Sequence, residues 1–263
     1  MAKKNSTKTL INVWILFVAA SLLLSAGWLM KSFPALIFIG IAPLFAISDA
    51  AKDKETPWDH LELILMALAI SLFCASIFDT TQLIPVLAEA IVLTLTFAGY
   101  AFSYQSLGSR LGKFTIIFFW LGLEYLMLKL PCRNDYYFLA DSLELQASWW
   151  KWNADIGYLS ISIWVLVVNL IFYLAFLKSS SINWYFGVLA VLLVAGPIIY
   201  SIFYLDAPGL NREQMIVLYG GGTEVVSGNY KNRGELIART AAWVSILIIL
   251  LAVVKNQIKK KKK

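Results

Sequence analysis

The chain has 263 residues, 60% of them hydrophobic, and a mean hydropathy of +0.73. Soluble domains average about 45–50% apolar residues, so this composition excludes an ordinary globular domain and predicts an all-α polytopic membrane protein. The net charge of +6 would suit a nucleic-acid partner in a soluble protein. Here the basic residues cluster beside apolar runs, where topology rather than nucleic acid accounts for them.

A membrane-crossing helix needs roughly 20 apolar residues. Eight runs approach that length, near 10–30, 33–50, 61–78, 83–104, 114–130, 157–177, 183–204 and 236–254, and predict a bundle of about eight spans. The first follows Lys3, Lys4 and Lys8 and is too long for a signal peptide. Its Ser25-Ala26-Gly27 stretch runs into Trp28 without a cleavage site, so it reads as an uncleaved anchor. The second is the shortest and carries Pro34 and Pro43, which predicts a kink or partial insertion. Pro85 and Pro197 are tolerable because neighbouring helices re-satisfy carbonyls freed in a membrane.

Charged residues inside spans are costly and count as functional candidates by default. Glu89 lies six residues into the fourth span and Glu124 six residues before the end of the fifth, each about 9 Å from the same boundary at 1.5 Å per residue. Two readings follow. The pair locks helices together, by sharing a proton or pairing with Lys129 or Arg133; or it serves as acid and base, with Cys132 as nucleophile. The single histidine, His60, falls on the opposite side from Cys132, so no Cys-His dyad forms. Cys74, inside the third span, reads as a small packing residue. Ser162, Asn169 and Tyr173 share one face of the sixth span, predicting polar packing against a neighbouring helix.

Two outer loops, 131–156 and 205–235, remain. The first holds Tyr136, Tyr137, Phe138, Trp149, Trp150 and Trp152, and predicts an amphipathic segment on the outer leaflet, either a plain interfacial belt or a platform guiding acyl chains or a headgroup. The second has β-prone runs at 215–219 and 223–226 around Gly220, Gly221 and Gly222, which predicts a small hairpin. These glycines lack the spacing and lysine of a phosphate-binding loop, and no cofactor motif or metal-ligand spacing occurs elsewhere. With both termini inside, that side holds fourteen of the 22 Lys and Arg residues, including Lys259 to Lys263, so both ends are expected in the cytoplasm.

Several stretches carry a family resemblance: Phe33-Pro34 through Ala42-Pro43-Leu44, Phe119-Trp120-Leu121-Gly122-Leu123-Glu124-Tyr125, Gly157-Tyr158 through Asn169, and Tyr230-Lys231-Asn232-Arg233-Gly234-Glu235 with Arg239. Together they resemble the membrane domain of apolipoprotein N-acyltransferase. The resemblance implies eight spans in a bacterial inner membrane, contact with phospholipid and lipoproteins, and a nitrilase-like domain with a Glu-Lys-Cys triad between spans seven and eight. Only some thirty residues fill that interval and none is cysteine. Leu130-Pro131-Cys132-Arg133-Asn134 also stands where the resemblance implies tryptophans. The expectation is therefore a catalytically empty scaffold that binds lipid or lipoprotein, or assists another membrane protein. The alternatives are an acyltransferase using residues of its own, and a small transporter.

Overall fold

A computed structural model describes residues 12–30, 34–52, 60–107, 112–129, 137–179, 181–206, 209, 211 and 233–261. Among these residues every regular element is helical. Helix α1 is Val13–Leu29, opened by Asn12, whose side chain accepts the Trp14 N–H. Helices α2 (Ile37–Gly40) and α3 (Ala42–Lys52) occupy the second apolar run, which is broken at Ile41. The break has the expected cause: Pro43 has no N–H to give, and its ring collides with the carbonyl four residues earlier. Helix α4 is Leu61–Ala75, and α5 is Leu83–Leu107. Between them Ile77 and Phe78 adopt left-handed φ of 56° and 59°, which reverses the chain before Asp79 caps the next turn by accepting from Thr81 N–H and Oγ1.

Helix α6 is Thr115–Lys129, α7 the single turn Asn153–Ile156, and α8 Ser160–Phe172, continued by a π-helical turn over Tyr173–Leu177. Helices α9 (Trp184–Tyr204) and α10 (Arg233–Lys261) complete the chain. Among the described residues, four helices are long and apolar enough to cross a membrane: Thr80–Tyr104, Ser160–Leu177, Trp184–Tyr204 and Ile237–Ile258. Shorter apolar helices cover Val13–Leu29, Pro34–Ala50, Leu61–Ala75 and Thr115–Leu128.

The core lies around α2, α3 and α8, which bring Ile37, Phe38, Ile41, Leu44, Ile47, Val165 and Leu166 together at full burial. Helices α1, α4, α5, α6 and α10 pack in sequence around one side of this centre. Among the long helices α9 leans chiefly on α8, and it leaves most of its surface open, including Tyr185, Val191 and Phe203. Close approach needs small residues at two crossings: a Cβ on Gly40 would meet the Leu24 side chain at 2.8 Å, and one on Gly122 would meet Ala242 Cα at 3.1 Å.

Two helices differ in extent from the apolar runs they contain. The sixth helix begins at Ser160 rather than 157, because Gly157, at φ 108°, ends the α7 turn. The eighth runs to Lys261, well past 254, since lysine is a good helix former once a helix is nucleated. The expected hairpin at 215–226 lies outside the described residues, as do Cys132, Arg133 and Tyr136.

Candidate functional site

For the first long loop the sequence predicts an amphipathic segment, and the described part of it begins at Tyr137. From Tyr137 to Gly157 it folds into two 3-10 turns, Leu139–Leu143 and Ala147–Trp149, followed by α7, and the whole segment caps one end of the bundle. Phe138, Leu139, Ala140, Leu143 and Trp150 are buried in this cap. Trp150, expected in the aromatic belt, instead points inward and donates its indole N–H to Leu143 O at 2.8 Å. Trp149, Trp152 and Tyr137 are half-buried at its edge, and Tyr137 meets the Trp28 ring edge-on at 6.0 Å.

Three successive backbone amides at the start of the cap each donate to a different carboxylate. Tyr137 N–H reaches Glu89 Oε1 at 3.0 Å, Phe138 N–H reaches Asp141 Oδ2 at 2.9 Å, and Leu139 N–H reaches Glu124 Oε1 at 2.9 Å. Glu89 and Glu124 are 0% and 1% exposed. Their matched depth has a physical reason: both reach from their helices to the backbone amides of one short stretch of the cap. Glu124 Oε1 also accepts from Trp120 Nε1 at 3.1 Å, and Asp141 Oδ1 accepts the Tyr158 hydroxyl at 2.6 Å. Ser162 lies beside the Glu124 carboxyl, yet Glu124 Oε2 and Ser162 Oγ complete no hydrogen bond.

The other two polar residues on the Ser162 face do separate work. Asn169 bridges the α2/α3 break: its Oδ1 accepts from Ile41 N at 2.8 Å and Ala42 N at 2.9 Å, while its Nδ2 donates to Ile37 O and Val165 O, both at 2.8 Å. All four hydrogen-bonding positions of the carboxamide are filled. Tyr173, at the bundle end away from the cap, donates its hydroxyl to Asp49 Oδ2.

That Asp49 is the centre of a second cluster. Lys113 Nζ lies 3.0 Å from its Oδ2, Tyr100 donates to its Oδ1 at 2.6 Å, and Lys113 sits over the Tyr173 ring, 4.8 Å from the centroid. The carboxylate and ammonium are 14% and 9% exposed, and with Phe45, Ile116 and Leu170 they enclose a void of about 10 Å³, roughly the room of one water. Sequence reasoning counted Lys113 among topological lysines and passed over Asp49. The signal that could have found them is two opposite charges at the ends of apolar runs on the same side.

Beside the cap, α8 and α9 diverge around an open apolar recess of about 520 Å³, with Trp152 and Tyr200 toward the cap and Gly196 and Pro197 on one wall. Pro197 frees the Leu193 carbonyl four residues earlier, and Trp164 of α8 supplies the missing donor through its indole at 2.6 Å. Among the described residues no group of three His, Cys, Asp or Glu is placed to hold a metal.

These features define an all-helical bundle, fit in composition and helix length for a membrane, with one end sealed by a carboxylate-anchored cap. No protein family, curated protein or solved structure matches this chain.

Proposed function

We propose that this chain is a non-catalytic scaffold of a bacterial inner membrane that binds phospholipid or lipoprotein at its cap end, with about eight spans and both termini in the cytoplasm. The observation that carries this reading is the use made of Glu89 and Glu124. Each holds a cap amide in full burial, a positioning task that competes with abstracting a proton from substrate, since a general base must reach that proton directly or through one water. The resemblance to the membrane domain of apolipoprotein N-acyltransferase favours the same reading, because the interval where that family carries its triad has no cysteine here. The recess beside the half-buried Trp152 gives the scaffold a place to meet lipid.

The test is expression in a strain depleted of its apolipoprotein N-acyltransferase, with lipoprotein N-termini read by mass spectrometry. Lipoproteins that stay diacylated, together with phospholipid retained by the purified chain, are the expected results. A third acyl chain on the lipoprotein would overturn the non-catalytic reading.

A further inference from the structure

We infer that the recess between α8 and α9 is a binding site for one acyl chain of a membrane phospholipid, whose phosphate lies beside Lys151; this rests on the lipid-binding reading and gives it a place. The recess is lined by Trp152, Ile163, Trp164, Val167, Gly196 and Tyr200, among others. Of its polar lining groups, the Ser160 hydroxyl goes to Gly157 O and the Trp152 and Trp164 indoles go to Trp149 O and Leu193 O, so the walls offer mainly hydrocarbon surface.

The recess is built to stay open. Helix α9 is fastened on both sides of it: Trp164 holds the Leu193 carbonyl within the bundle, and at the cap Lys151 N–H donates to Ser201 Oγ at 2.8 Å while Lys151 Nζ donates to Leu205 O at 2.8 Å. Between these fastenings Gly196 contributes no side chain, and a Cβ built there meets nothing within 4 Å. Both bounding helices are among those long and apolar enough to cross a membrane, so what enters from the side is either a lipid chain or a partner helix. A recess of about 520 Å³ has room for one extended chain along it.

Hydrocarbon contact alone gives little preference over the bilayer, whose tails are as apolar as the recess. Retention therefore depends on shape and on the headgroup. Lys151 precedes the lining residue Trp152, and its N–H is bonded to Ser201, the chain neighbour of the lining residue Tyr200. An ammonium has three donors, and among the described residues one goes to Leu205 O. A phosphate is the anion every phospholipid would bring to that position.

The full chain, purified in mild detergent from bacterial membranes, is examined by native mass spectrometry beside Gly196→Leu and Val167→Phe, which fill the recess from opposite walls, and Val191→Phe, which adds bulk on an exposed face of α9. One phospholipid per chain on the wild type and Val191→Phe is expected, with retention about tenfold weaker in whichever filling variant melts like the wild type. Phospholipid held equally by a filling variant would overturn the recess as its site while leaving the scaffold a lipid binder. A diacylated lipoprotein in place of phospholipid would overturn the assignment of the chain to phospholipid. A wild type that holds neither would overturn the recess and the lipid-binding reading together.

Discussion

Replacing Asn169 with leucine, nearly its equal in size, should be among the most damaging single changes in the bundle. The substitution takes the Asn169 partner from Ile41 N–H, Ala42 N–H and Ile37 C=O, leaving Ile41 N–H only Ile39 O; the Val165 carbonyl lies inside the α8 ladder and keeps a helical donor. Each orphaned buried group costs about 1–3 kcal/mol in a protein interior, while hydrogen bonds measured within membrane bundles average about 0.6 kcal/mol. Three groups therefore bracket the loss between about 2 and about 9 kcal/mol. Repair by splicing α2 and α3 into one helix is blocked, because the Pro43 ring would collide with the Ile39 carbonyl. Asn169→Asp separates the contributions: it keeps an acceptor for the two amides but loses the donor to Ile37 O and Val165 O, setting oxygen against oxygen. Both variants should unfold at lower denaturant in detergent, followed by tryptophan fluorescence. An Asn169→Leu protein within about 0.5 kcal/mol of wild type, inside the range of ordinary surface changes, would refute the claim that this side chain carries the break.

The cap gives a second contrast. Glu124→Ala strands Leu139 N–H and Trp120 Nε1–H and should cost about 2–5 kcal/mol, whereas Glu124→Gln retains the acceptor and turns an amide toward Ser162 Oγ, so its melting point should stay close to wild type; equal losses would count against the anchoring role. Asp49→Asn or Lys113→Met alone should cost about 3–5 kcal/mol by leaving one buried charge unpaired, and the double variant should lose distinctly less than the two summed, measured as a double-mutant cycle. Asp79, fully exposed, is held below the usual carboxylate range first by the Thr81 hydroxyl and then by the Thr81 amide. Its contribution is therefore present above the ordinary carboxylate value near about 4 and is lost as pH falls through the lower native value, because the unfolded chain takes up the proton first. The melting-point difference between wild type and Asp79→Asn should be constant near neutrality and shrink only in that acid window.

Much of the architecture was legible because membrane helices announce themselves by length and apolarity. The break in the second run followed from Pro43, and the partnership of Asn169 with a neighbouring helix followed from its place on a polar face with Ser162 and Tyr173. The cap was not legible, for a definite reason. Glu89 and Glu124 find backbone amides of residues 137 and 139, and an amide looks the same at every position of a sequence. Depth alone suggested that the two glutamates met each other or a basic residue, and the loop that claims them read as an interfacial belt from its aromatic content. Asp49 and Lys113 were hidden differently, because a lysine flanking a span has a sufficient topological explanation and nothing in the spacing of residues 49 and 113 links them.

The order in which the chain is made gives the Asn169 bridge a further meaning. Domains are synthesised from the N-terminus at about 5–20 residues per second, and Ile41 precedes its partner by 128 residues. For that whole interval the amides of Ile41 and Ala42 lack their Asn169 acceptor, so the two halves of the second apolar run cannot settle until α8 is beside them. The carbonyl freed by Pro197 in α9 faces no such wait, since Trp164 emerges before the Leu193 carbonyl it must serve. Assembly of this bundle is thus timed by one asparagine: chains cut short before residue 169 should stay unfinished at residue 41 and be more open to proteolysis, however many helices they already contain.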